Sequence, residues 1–184
     1  MSTTAVGERA APRVALVAGA VGRFGEALLN RVLGSGDYRT VVALAQAPMA
    51  LGVRGLALAA LHELPPLDDV FVALSEHHEG EGRSFHGRDA PFVQVGAGQL
   101  LAVARAACDA GARRLVLIAP TSAWQQMGGM HAGLSGETEL ALAGLPLTSL
   151  TVLRPVVAHG SRARGLVERV AAIYTSLQML AMPR

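Results

Sequence analysis

Short apolar runs recur along this chain, continuous at their centres and closed by glycine, proline or polar residues: RVALVAG at 13–19, TVVALA at 40–45, DDVFVALS at 68–75, ARRLVLIAP at 112–120 and LTSLTVLRP at 147–155. A strand with one wet face alternates apolar and polar residues. A strand buried on both faces reads as an unbroken apolar run, and that belongs to a parallel sheet covered by helices. LGVRGLALA at 51–59 holds a shorter strand of the same kind. Between the runs lie helical patterns. RFGEALLNRVLGSG (23–36) places Phe24, Leu28, Leu29, Val32 and Leu33 at helical spacing and stops at Gly34 and Gly36. PFVQVGAGQLLAVARAACDAG (91–111) reads as one long helix, with Pro91 in its first turn, where a missing N–H costs little. A further helix begins around His131 and carries GETELALAG to Gly144. Alternating strands and helices predict an α/β fold: a doubly wound parallel sheet of about six strands, Rossmann type, in a single domain over 13–184. Residues 1–12 are expected to be a flexible N-terminal tail.

Composition removes several functions. Hydrophobic residues make up 51% of the 184 and charged residues 16%, which fits a packed core and excludes a disordered chain. A net charge of +2, with no basic run interleaved with aromatics, argues against a nucleic-acid partner. No run is long and apolar enough for membrane insertion, and MSTTAVGERAAP lacks the core of a secretory signal, so a cytoplasmic location is expected. The single cysteine, Cys108, forbids an internal disulfide and reads as a small buried thiol in an alanine-rich helix. All 16 basic residues are arginine, so a Schiff-base lysine and a phosphate-loop lysine are both impossible. The loop around Glu76, His77, His78, Glu79, Glu81 and His86 has suitable metal-ligand types. Adjacent histidines do not aim easily at one ion, and no His-x-x-x-His helix supports them, so a solvated loop and no metal site are expected. A Gly-x-Ser-x-Gly elbow is also missing, which sets aside a serine hydrolase.

One stretch carries a positive signal. AGAVGRFGEALL (18–29) places Gly19, Gly22 and Gly25 between the first strand and the first helix. Glycines there serve a tight turn, a close approach of backbone to pyrophosphate, and close helix–strand packing. The helix N-terminus then offers free N–H groups and a positive dipole end to an anion. The alternative is a tight strand–helix turn that binds nothing.

The Gly-x-x-Gly-x-x-Gly spacing, with VLRP at 152–155, resembles the short-chain dehydrogenase superfamily. The nearer resemblance is to its atypical branch, the NmrA-like and Tat-interacting-protein-like NAD(P)-binding proteins. It covers most of 13–164, including VALVAGAVGRFGEALL, DDVFVALS, AACDAGARRLVLIA and LTVLRPVVAHGSR. The resemblance implies a Rossmann fold with NAD(P) as cofactor, held by Gly19, Gly22, Arg23, Phe24, Gly25, Gln46, Ala73 and Leu74. Where an acid would hold the ribose of NAD, or basic residues the extra phosphate of NADP, this chain has Gln46 and Ala47. Arg23 reads either as a contact to a 2′-phosphate or as an exposed arginine at the helix start; NAD and NADP both stay open, with a slight lean to NADP on Arg23 alone. Reductases of the superfamily use a Tyr-x-x-x-Lys pair assisted by a serine, the lysine cation lowering the tyrosine pKa. Aligned on the family, the pair falls on His131 and Ser135, and the serine on Ala119 or, with a slip, on Thr121 or Ser122. His131, Ser135 and Ser122 are thus the catalytic candidates, and the ordinary reductase mechanism is not expected. Tyr38 reads as a loop residue after the first helix and Tyr174 as part of the last helix, neither placed for the role.

Residues 162–182 read as a final helix with an apolar stripe of Leu166, Val167, Val170, Ile173, Tyr174, Leu177 and Leu180. The stripe either covers the sheet or meets a partner, and the resemblance implies a homo-oligomer or a seat in a protein complex. Three functions stand at this point: a non-catalytic NAD(P)-binding regulator or accessory subunit, an NADP-dependent oxidoreductase with His131 as the acid, or a structural relic that binds no nucleotide.

Overall fold

The computed structural model describes residues 13–47, 52–75, 91–122 and 136–157. The strands are β1 (Arg13–Ala18), β2 (Tyr38–Leu44), β3 (Leu56–Ala59), β4 (Asp69–Ala73), β5 (Arg114–Ile118), β6 (Thr121–Ser122), β7 (Ser149–Leu153) and β8 (Val156–Val157). Six of them form one sheet in the order β3-β2-β1-β4-β5-β7, and every pairing in it is parallel. The short β6 and β8 pair with each other, following β5 and β7 by a few residues. Helices α1 (Gly22–Gly34), α2 (Ala97–Asp109) and α3 (Gly136–Ala143) complete a doubly wound Rossmann-type arrangement in a single domain.

The strand order follows from chain handedness. β1–α1–β2 steps one way across the sheet, and β4–α2–β5 steps the other. Right-handed crossovers therefore put α1 and α2 on opposite faces. The cores agree. On one face Phe24, Leu28, Leu29 and Val32 of α1 pack with Ala15, Val17, Val41, Ala43 and Phe71. On the other, Leu100, Val103, Ala104 and Ala107 of α2 and Leu142 of α3 pack with Leu16, Val42, Val70, Val72, Leu115 and Leu117. Successive residues of each strand serve opposite cores, which is why these strands show no polar alternation. Each fully buried Val, Leu or Phe contributes about 1.5–3 kcal/mol of transfer free energy.

The amino edge of the sheet is pinned by one buried carboxylate. Asp69 is 3% exposed. Arg114 Nε donates to its Oδ1 at 2.5 Å and Arg114 Nη2 to its Oδ2 at 2.9 Å. Tyr38 Oη donates to Oδ2 at 2.7 Å, and Arg13 Nη1 to the same oxygen at 3.3 Å. The Arg13 guanidinium also lies 5.0 Å from the Tyr38 ring centre. Next to it, Asp68 accepts the Val14 N–H at 2.7 Å. Side chains from β1, β2, β4 and β5 thus meet on one residue.

Two expectations need correction. Tyr38 is the first residue of β2, because its hydroxyl has a carboxylate to bond and its ring packs edge-on against Phe71. Residues 91–96 are not helical: α2 begins at Ala97, after Gly96. Pairing with the sheet holds this segment extended. Gln46 N–H donates to Pro91 O at 3.3 Å, Val93 N–H to Leu44 O at 3.0 Å, and Ser75 N–H to Val95 O at 3.0 Å. Tertiary pairing here overrides a helical start signal. The expected tail at 1–12, the histidine loop, the helix start at His131 and the final helix at 162–182 lie outside the described residues. Among the described residues no helix is long and apolar enough to cross a membrane.

Candidate nucleotide-binding site

β1 lies between β2 and β4, and the chain leaves it for α1 on one face and comes to β4 from the other. The carboxyl ends of β1 and β4 therefore flank the point where strand order reverses, the usual seat of ligands in open parallel sheets. Gly19, Gly22 and Gly25 stand at that point, and each has a different reason to be glycine. Gly19 has a φ of +76°, and a Cβ there would run into the Ala73 carbonyl at the end of β4. Gly25 sits in the first turns of α1 and would drive a Cβ into the Gly19 carbonyl and the Ala20 backbone. These two let loop, helix and strand close on one another. Gly22 has a φ of +66°, yet a Cβ there would meet nothing within 4 Å. Its conformation needs glycine while the space beside it is open.

The start of α1 carries no cap. Val21 occupies the N-cap and provides no side-chain cap, and the first turn contains no acid. First-turn N–H groups of a helix have no partner within the helix, and the dipole adds partial positive charge there. Arg23 is exposed beside them. Phe24 instead turns its side chain into the core under α1, so only its backbone faces the loop. These features fit the phosphate part of a dinucleotide.

The remaining expected contacts border the same crevice. Gln46 follows the end of β2, with an exposed side chain and its N–H committed to Pro91 O. Ala73 ends β4 and lends its carbonyl to the close approach with Gly19. Leu74 donates its N–H to Ile118 O at 2.9 Å and bridges to Val95. Ser122 belongs to β6, paired with Val157, and Ala119 is buried after β5. His131 and Ser135 lie outside the described residues.

Sequence reasoning missed the strap over this edge. Residues 91–95 bond to the end of β2 at one end and to the end of β4 at the other, so they cross the carboxyl end of β1 between them. Gln94 Nε2 donates to Ser75 Oγ, a neutral polar pair between the strap and the end of β4. No local pattern marks either residue, because the pair is made by the strap. Farther along the edge, Arg154 after β7 pairs with Glu139 in the first turn of α3. Among the described residues no group of three or more His, Cys, Asp or Glu is placed to hold a metal.

Compared with protein-family models and with curated proteins, the chain matches none.

Proposed function

We propose that this chain is an NAD(P)-binding protein of the atypical short-chain dehydrogenase type, with NADP preferred, acting as a non-catalytic regulator or accessory subunit of an enzyme complex. The observation that carries the reading is the division of labour in the glycine loop. Gly19 and Gly25 are packed against backbone while Gly22 keeps an open space at the uncapped start of α1. Gly36, after α1, is also left-handed with open space beside it; what distinguishes Gly22 is that its open space lies at the uncapped start of α1 and at the carboxyl end of β1. Gly19, Gly22 and the first-turn N–H groups would hold the pyrophosphate. Arg23 and Gln46 would face the adenosine ribose, and the absence of an acid at position 46 removes the repulsion a 2′-phosphate would meet.

Bound NAD(P)H supplies a hydride. Moving the accompanying proton is the protein's task, and here the chain departs from the reductases. With no lysine, nothing can hold the nicotinamide ribose and lower a phenol pKa in the ordinary way. Tyr38 is committed to Asp69 at the amino edge, the opposite end of the sheet from the loop. A binding role is what these residues support.

Thermal melting with NADPH and with NADH tests the reading. A ligand at 100 times its Kd adds about 2.7 kcal/mol, a rise in Tm of roughly 5–10 °C for a domain of this size. The expected result is a larger rise with NADPH, lost in Gly22→Val. No rise with either dinucleotide overturns the binding proposal. NADPH oxidation in the presence of carbonyl compounds is expected at background, equal in parent and His131→Ala. A fast rate that His131→Ala abolishes overturns the non-catalytic role and leaves the binding role standing.

A further inference from the structure

Two prolines stand at the same level on neighbouring strands. β5 pairs with β7 with Ile118 opposite Leu153, and β6 pairs with β8 with Thr121 opposite Val156. The offset along the chain is the same in both pairs, so one register runs through both. At that register Ala119 stands opposite Arg154, and Pro120 opposite Pro155.

The ladder stops at this level for a chemical reason. Donors alternate from strand to strand in a parallel pair. Ala119 N–H donates to Leu153 O at 2.8 Å, so the next rung would run from the N–H of residue 155 to Ala119 O. Residue 155 is proline and has no N–H. On the other side of the same strand, Leu74 N–H donates to Ile118 O at 2.9 Å. The next rung there would come from residue 120, which is also proline. One proline ends the pairing of this strand with β7 and the other ends its pairing with the end of β4. β6 and β8 then leave the six-stranded sheet still paired with each other.

We infer that β6 and β8 form a hinged flap, which swings as one unit about the level of Pro120 and Pro155 while β5 and β7 stay paired. The sheet side of the hinge is fixed. Ala119 and Pro155 are buried, and Arg154 pairs with Glu139 of α3. Past that level the chain has lost both of its next rungs to the sheet. The flap rises from the carboxyl edge two strands from β1, about 10 Å away at ordinary strand spacing. It stands on the same edge as the glycine loop, and its swing changes the room beyond β4. The inference does not depend on nucleotide binding.

Nitrogen-15 relaxation of the full chain, without ligand, tests it. Hinge motions of this kind fall in the μs–ms range that relaxation dispersion reads. The Thr121, Ser122, Val156 and Val157 amides are expected to share one exchange rate and one minor population, while Leu117 and Ala119 give flat profiles. Fraying of strand ends would instead give rates that differ from residue to residue. Pro155→Ala returns the missing donor to Ala119 O, and Pro120→Ala returns the one to Leu74 O. Each is expected to lower the open population about fivefold, the worth of one net hydrogen bond. If one variant fails to fold, the other and the parent still decide. Flat profiles across the four amides, rates that differ among them, the same process at Ala119, or an unchanged population in a folded proline variant overturn the proposal.

Discussion

Asp69 is the residue on which most of the polar order of this sheet converges. A buried carboxylate is costly unless it is paired and hydrogen-bonded, and here two guanidiniums and a phenol share the task. Asp69→Asn keeps the shape and removes the charge, leaving Arg13 and Arg114 without a counter-ion and with one acceptor oxygen in place of two. The expected loss is about 2–3 kcal/mol by urea unfolding, below the 3–5 kcal/mol of fully buried pairs, because both arginines reach solvent. Tyr38→Phe removes the hydrogen bond to Asp69 and is expected to cost about 1 kcal/mol. Cys108 makes a different kind of prediction. Burial, with Asp109 beside it, raises the thiol pKa, while Arg113 opposes the shift. The folded state therefore holds this proton more tightly than the unfolded chain does. The associated stability is complete below the unfolded thiol pKa and is lost as pH rises through the folded value. Above about pH 8.5, the parent is expected to lose stability faster than Cys108→Ala, measured as the difference between their urea midpoints across pH. Equal slopes would remove Cys108 from the account.

The elements respond to glycine substitution according to what each glycine touches. Gly25→Ala forces α1 off the β1–α1 loop, and a loss of about 3 kcal/mol, the upper end for overpacking, is expected. Gly22→Ala meets no neighbour and pays only for its left-handed backbone, about 1–2 kcal/mol. Gly34→Ala, at the end of α1 with nothing nearby and no positive φ, is expected to gain about 0.5 kcal/mol. Thermal melts of the three variants give the order directly. A uniform effect would show that the loop is not packed as described. The same elements show what could be read from the chain beforehand. The strands were visible because burial on both faces leaves no polar alternation, and the glycine trio because its spacing is local. Residues 91–96 misled because Pro91 and the apolar residues after it also suit a helix start; only hydrogen bonds to Leu44, Gln46 and Ser75, distant in sequence, decide otherwise. Asp69 was hidden for a similar reason. PPLDD reads as a turn, and nothing nearby announces that Arg13, Tyr38 and Arg114 converge on its last residue. The Ser75–Gln94 pair exists only once the strap has crossed β1.

Taken as a whole, the molecule builds the two edges of its sheet differently. The amino edge is closed by charge pairs that lock strand register. The carboxyl edge of β1 carries the exposed glycine, the uncapped helix start and the strap. Rigidity at one end holds the backbone of the other in place, because β1 and β4 run through both. The unequal cover along the sheet should appear in its opening free energies. Leu16, Val17, Val70 and Val72 lie in central strands with almost no exposed surface, so their amides can exchange only when the whole domain unfolds. β7 is an edge strand with half-buried side chains on both faces. Its Thr151 and Leu153 amides, which face β5, are expected to exchange through local opening, at least about 2 kcal/mol more readily than those of β1 and β4. Native-state hydrogen exchange at several urea concentrations separates the two classes, since only global exchange falls in step with the unfolding curve. If β7 exchanged in step with β1, the sheet would open as one unit, and the strands flanking the glycine loop would have no more local stability than its edge.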